Sequence, residues 1–331
     1  MNMDEIRYTK QVLSLPDDYE GPVIATLIRC VGQQRASRAI LYLHGYVDYF
    51  FQTHMAESFV REGWNFYALD LRKYGRSLLP HQHAYYCRNL SEYFPEIDQA
   101  IEQIVADGNQ DITLLGHSTG GLIASLYAAS GKRRQAVDRL VLNSPFFAFN
   151  TGWFKRTVAM PVVAWLSRLW PYGSMRNELS PLYWDSVHRS AKGEWDFDPQ
   201  LKPQTGVPLY FAWLGAIRRG HRRLHRGLHL SIPVLVMHSD RSTYARQWGE
   251  EFTCSDAVLN VEDIARYAWC LGNRVTDVTI EGGLHDLVLS RREVREKVFK
   301  VMFEWITEQE LLKINHQSDY DGIDKTDIPN W

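Results

Sequence analysis

Short apolar runs alternate with longer amphipathic stretches along most of this chain. The runs at 12–15, 23–31, 39–45, 65–71, 112–117, 139–144, 233–239 and 275–280 are rich in Val, Ile, Leu and Tyr, and each ends at polar or glycine-containing segments. Several are continuously apolar rather than alternating, as strands covered on both faces are. Between them, apolar residues recur at three- and four-residue spacing over Thr53–Glu62, Ser91–Ala106, Thr119–Ser130, Val261–Leu271 and Arg292–Leu312, which predicts helices. A helix between successive strands implies parallel crossovers. The first two runs have no helix between them and are expected to pair as a hairpin. The pattern therefore predicts an α/β fold: a mostly parallel, doubly wound sheet of eight strands.

One stretch breaks the alternation. Residues 146–230 contain no convincing strand, yet they hold Trp153, Trp165, Trp170, Trp184, Trp195 and Trp213. An insertion of that size between the sixth and seventh strands is expected to be a helical cap over one end of the sheet. The expected organisation is 1–145 for the first part of the core, 146–230 for the cap, 231–315 for the second part of the core and 316–331 for a polar tail. Most of the tryptophans are expected to form the cap's own small core, with Trp153 and Trp165 lining a pocket.

Composition narrows the class. A formal net charge of -2 provides no overall attraction to nucleic acid. The N-terminal MNMDEIRYTKQ lacks the apolar run of a signal peptide, and no segment reaches the ~18–20 apolar residues of a membrane span. Cys30, Cys87, Cys254 and Cys270 are scattered without zinc spacing, as reduced thiols in a cytoplasmic protein would be.

The candidate chemistry sits in DITLLGHSTGGLI, residues 111–123. Gly116-His117-Ser118-Thr119-Gly120 is a G-x-S-x-G sequence between a predicted strand and a predicted helix. There a sharp turn exposes a serine hydroxyl at the carboxyl edge of the sheet. Ser118 needs a base, and the order on such a sheet is serine, acid, histidine. His285, in the loop VTIEGGLHDLVLS, is the expected base. Asp240, directly after the seventh strand in IPVLVMHSDRS, is the expected acid, with Asp256 and Asp263 as the remaining candidates. Asp286 is adjacent to His285 and badly placed to orient its ring. The Thr119 backbone N–H, at a helix start, and the Tyr46 backbone N–H, after the third strand, are the expected oxyanion donors. Gly45, Tyr46 and His117 are expected to border the substrate.

With those residues placed, the chain resembles the capped α/β-hydrolases of the monoacylglycerol lipase, lysophospholipase and serine aminopeptidase-like group. LYLHGY, ALDLRKYGRS, LLGHSTGG, VLVMHSDRS and EGGLHD fall in that group's order between about Tyr8 and Leu312. The resemblance implies the triad Ser118, Asp240 and His285, an oxyanion hole at Tyr46 and Thr119, and an acyl-enzyme route without cofactor or metal. Lys73 stands where the group usually carries glycine, and Thr119 where methionine is commonest.

The expectation is a cytoplasmic serine hydrolase, monomer or homodimer, cleaving a small-molecule acyl ester such as a monoglyceride or lysophospholipid. Its partners include no nucleic acid, and transient contact with a membrane surface is left open. The rivals are amide cleavage by an aminopeptidase-like relative, which would need cap carboxylates (Glu178, Asp185, Glu194, Asp196 or Asp198), thioester cleavage, and a non-catalytic ligand receptor. A dehalogenase would carry Asp at position 118. The Arg- and His-rich stretch 217–230 reads as a solvated helix face ahead of a cationic patch, with a metal site at His221, His225 and His229 the least favoured reading. No P-loop, GxGxxG or HExxH sequence is present.

Overall fold

The computed structural model describes residues 6–32, 36–150, 169–176 and 181–321, with side chains to residue 313. The strands of its main sheet are β1 (Arg7–Asp18), β2 (Gly21–Val31), β3 (Arg38–Leu43), β4 (Asn65–Asp70), β5 (Asp111–His117), β6 (Arg139–Asn143), β9 (Val234–Ser239) and β10 (Val275–Ile280), in spatial order β1-β2-β4-β3-β5-β6-β9-β10. β1 and β2 form the expected antiparallel hairpin, and β2 also runs antiparallel to β4. Every other pairing is parallel. This is the mostly parallel eight-stranded sheet of an α/β-hydrolase fold.

β3, β4, β5, β6 and β9 are buried almost throughout, which is why they read as unbroken apolar runs. β1 lies at an edge, and its first six residues are exposed, so only its inner part had an apolar signature. Helices α1 (Thr53–Arg61) and α7 (Arg292–Asp321) cover one face, where Phe59, Phe66, Met302 and Trp305 pack together. α2 (Phe94–Ala106), α3 (Thr119–Ser130) and α6 (Val261–Ala268) cover the other, with Ile97, Leu122, Leu142 and Ile264. Residues 316–321, at the start of the expected polar tail, continue α7 as helix.

The segment between β6 and β9 differs from expectation. It holds a small two-stranded antiparallel sheet, β7 (Ser174–Arg176) with β8 (Pro208–Tyr210), with α4 (Pro181–Val187) between the two strands in sequence and α5 (Phe211–His225) directly after β8. Strands of three residues are too short to show a period. Trp153 and Trp165 lie outside the described residues.

The Arg- and His-rich stretch is not a solvated face throughout. His221, on α5, is only 4% exposed, and its ring donates to the Phe146 carbonyl at 2.9 Å. One turn later His225 donates to the Phe147 carbonyl at 2.7 Å. The helix stops at Gly227, whose φ of +94° lies in the left-handed region. No metal-binding cluster of His, Cys, Asp and Glu occurs among the described residues.

Candidate active site

Parallel register brings the carboxyl ends of β3, β5, β6 and β9 to one edge, and Leu43 pairs with Gly116, His117 with Asn143, and Asn143 with Met237. Loops leaving that edge meet where such sheets hold their ligands. Ser118 forms the turn from β5 into α3 with φ 52° and ψ -118°, a strained conformation for a residue with a side chain. Surrounding bonds over-determine it. Its N–H donates to the Asn143 carbonyl at 3.1 Å, and its carbonyl accepts from Phe146 at 2.9 Å and Gly121 at 3.0 Å. The flanking glycines are a packing requirement. A Cβ at Gly120 would collide with the Leu43 and His44 carbonyl oxygens, and one at Gly116 would sit 2.7 Å from the Gly120 carbonyl oxygen.

The Ser118 Oγ lies 3.0 Å from His285 Nε2, and His285 Nδ1 lies 2.9 Å from a carboxylate oxygen. That carboxylate belongs to Asp256, not to the expected Asp240. An ionised carboxylate only accepts, so Nδ1 carries the ring proton and Nε2 is left to accept from the serine hydroxyl. Asp256 is fully buried, and its second oxygen accepts the Val258 and Leu259 N–H groups, both at 2.8 Å.

Asp240 follows β9 as expected but serves elsewhere. Its Oδ1 accepts the Gly282 N–H at 2.8 Å, and its Oδ2 pairs with Arg241 at 3.0 Å. Asp256 reaches the sheet edge because its loop folds back along the segment leaving β9. The Asp256 N–H donates to the Arg241 carbonyl at 3.0 Å, and the Thr243 N–H donates to the Asp256 carbonyl at 2.9 Å. The sequence hint was local: an Asp whose side chain accepts amides two and three residues ahead, just before a helix capped by Asn260.

The loop after β3 lies against the nucleophile, since a Cβ at Gly45 would be 3.2 Å from the Ser118 Cβ. His44, not singled out from the sequence, fixes this loop. The Leu71 N–H donates to its Nε2 at 3.0 Å, so the proton is on Nδ1, which donates to the Gly45 carbonyl at 2.8 Å. Burial lowers the His44 pKa and keeps the ring neutral, as this arrangement requires.

A model of the hydrolase family described as serine aminopeptidase, S33, matches residues 34–288. The chain belongs to that family. No curated protein matches it. Among solved structures, a soluble variant of the monoglyceride lipase from Saccharomyces cerevisiae, in complex with a substrate analog, superposes with a TM-score of 0.67 at 15% identity, over 91% of this chain and 97% of that one. The monoacylglycerol lipase of Paleococcus ferrophilus gives 0.62 at 19% identity, over 92% and 99%. A thermostable carboxyl esterase from Bacillus coagulans, in complex with glycerol, gives 0.63 at 16% identity, over 90% and 98%. At such identities the likeness is one of fold.

In this S33 hydrolase, Ser118 and His285 open onto a cavity of about 200 Å³ lined also by Gly45, Tyr46, Asp48, His117, Tyr183 and Lys202. The Tyr46 ring turns toward the insertion, 4.2 Å from the Trp213 ring, and its hydroxyl donates to the Pro208 carbonyl at 3.1 Å. His117 packs 4.9 Å from the His285 ring. Burial, with the neighbouring His285, lowers its pKa against the opposing pull of Asp286 and Asp48. Lys202 reaches down from the insertion to Asp48 at 2.6 Å, so the cavity wall carries a buried, neutralised ion pair. The described carboxylates of the insertion itself point elsewhere: Asp185 accepts from Gln204, Glu194 pairs with Arg295, Asp196 pairs with Arg189, and Asp198 accepts from the Gln200 N–H. Glu178 lies outside the described residues. Among the described residues no helix is long and apolar enough to cross a membrane.

Lys73, at the unexpected position, has φ 65°, the left-handed backbone that favours glycine. Its side chain accounts for the exception. The Nζ is buried between Asp18 and Glu20, 2.7 Å from each, and ties the turn of the β1–β2 hairpin to the loop after β4.

Proposed function

We propose that this chain is a serine hydrolase cleaving compact carboxylic esters through an acyl-enzyme intermediate. The observation that carries the reading is the continuous relay from buried Asp256 through His285 to Ser118, at 2.9 and 3.0 Å. Ser118 Oγ attacks the carbonyl carbon while His285 Nε2 takes its proton. The tetrahedral oxyanion is held by the backbone N–H groups of Thr119 and Tyr46. As the intermediate collapses, the alcohol leaves with that proton. A water, deprotonated by the same nitrogen, then attacks the acyl carbon, releases the acid and restores Ser118. Asp256 fixes the ring tautomer and stabilises the imidazolium.

Residues 146–230 act as a cap over this edge. The cavity of about 200 Å³ is smaller than the ~300–1,000 Å³ of most small-molecule sites, which favours short acyl groups over the long chains of typical monoglycerides or lysophospholipids. An ester is favoured over an aminoacyl amide because Asp48, the one carboxylate on the cavity wall among the described residues, is already neutralised by Lys202.

Hydrolysis of p-nitrophenyl esters from acetate to palmitate, by wild type and Ser118→Ala in parallel, tests this. Turnover that requires Ser118 and peaks at the short end is expected. Ester turnover surviving Ser118→Ala refutes the mechanism. Activity confined to aminoacyl p-nitroanilides would make the chain an aminopeptidase on the same relay.

A further inference from the structure

The relay accounts for Asp256 but leaves a second buried carboxylate beside the base unexplained. Asp286 follows His285 directly and is 1% exposed. Its Oδ1 accepts from Asn143 Nδ2 at 2.7 Å, and its Oδ2 accepts from Gln52 Nε2 at 3.0 Å. Its N–H donates to the Tyr183 hydroxyl at 3.2 Å. The next residue, Leu287, donates its N–H to Asn143 Oδ1 at 3.1 Å. The backbone following the base is thus tied to the loop before α1, to the end of β6 and to α4 of the insertion.

The amide orientations are fixed independently. Asn143 Oδ1 is occupied by Leu287, and Gln52 Oε1 accepts the Phe51 N–H at 3.1 Å. Both amides therefore present N–H groups to Asp286, and only a group accepting on both sides satisfies them. Burial works to raise the Asp286 pKa, but His117, Gln52, Lys202 and Asn143 outweigh it and the carboxyl lies below its usual value. Asn143 also holds the nucleophile, since its backbone carbonyl accepts the Ser118 N–H at 3.1 Å. One residue thus bonds to Ser118 through its backbone and, through its side chain, to the residue after His285.

We infer that Asp286 is a positioning residue that sets the distance between His285 and Ser118 by way of Asn143. The inference rests on the relay proposed above. Asp286→Asn turns an amide N–H toward one of two donors and breaks the clamp. The double variant Asp286→Asn/Asn143→Asp restores every donor–acceptor match. The carboxylate introduced at position 143 accepts from the Leu287 N–H and from the amide introduced at position 286, whose oxygen accepts from Gln52.

The test reads three quantities: kcat and KM on p-nitrophenyl acetate, the rate of Ser118 phosphonylation by a fluorophosphonate, and the proton resonance of His285 Nδ1–H. For Asp286→Asn, a displacement approaching 1 Å corresponds to a kcat loss of about 10- to 100-fold, with KM within about threefold. Phosphonylation should slow in parallel and the resonance should shift or broaden. The double variant is expected to recover kcat to within about threefold of wild type, the rescue that a merely structural role would not give. If Asp286→Asn does not fold, Gln52→Met removes one donor and should still shift the resonance and slow phosphonylation. A folded Asp286→Asn with wild-type kcat and resonance, or a double variant no better than the single one, overturns the inference. A wild type that neither hydrolyses esters nor is phosphonylated overturns the function instead, while the resonance still reads the clamp.

Discussion

Asp256→Asn and Asp240→Asn separate the acid seen in the structure from the one expected after β9. In Asp256→Asn the side-chain oxygen keeps the Val258 and Leu259 amides, both at 2.8 Å, so the new NH₂ must face His285 Nδ1. Nδ1 then becomes an acceptor and the ring proton moves to Nε2, where it faces Ser118 and blocks removal of the hydroxyl proton. Inverting the tautomer without moving the ring costs on the order of 10⁴ in kcat, which is about 5.4 kcal/mol of barrier. Asp240→Asn keeps an oxygen for the Gly282 N–H at 2.8 Å and loses only the half-exposed pair with Arg241. Such a pair contributes at most ~1 kcal/mol to stability and touches no reacting atom, so kcat should stay within about threefold of wild type. Initial rates on p-nitrophenyl acetate, with active sites counted by fluorophosphonate labelling, measure both. A larger loss from Asp240→Asn than from Asp256→Asn would refute the assignment.

Two further perturbations probe the frame of the site. Lys73→Gly relieves a left-handed backbone but leaves Asp18 and Glu20 buried without their cation. Breaking a buried pair costs about 3–5 kcal/mol and the relief returns about 1–2, so urea unfolding should show a net loss, and a stabilised variant would disprove the role of the ion pairs. His54, stacked 4.1 Å from Trp195 and bonded to the Val288 carbonyl, has its pKa pulled by burial from 6.5 to about 4. The unfolded chain therefore binds a proton there that the folded chain does not. The stability it contributes is complete above pH 6.5 and is lost as pH falls toward 4. His54→Gln should flatten that decline by up to about 1.4 kcal/mol per pH unit, and an unchanged slope would show that His54 is not the titrating group.

The sequence alone determined the elements whose physics is local. Strands buried on both faces must be continuously apolar, so β3 to β6 and β9 were legible one by one. A serine enclosed by glycines between a strand and a helix declared the β5–α3 turn, and His285 stood out by chain order, in a loop after the last strand that Gly282 and Gly283 free to reach back over the sheet edge. Edge strand β1 was legible only where it turns inward, and the strands of the β7–β8 pair were too short to leave a period.

Only the tertiary structure decided which carboxylate faces His285. Asp240 and Asp256 are both aspartates in loops after β9, and the choice follows from a backbone pairing between residues 241–243 and 256 that no local pattern encodes. The same holds for Lys73, whose unfavourable φ is stabilised by two carboxylates from a distant hairpin. It holds also for Asp286, which sequence reasoning could only set aside as an acid. Its partners Gln52 and Asn143 lie more than a hundred residues away in sequence and become its neighbours only when the sheet assembles. Local periodicity records the face that a residue buries, whereas the donor or charge it meets there depends on which loops share the sheet edge.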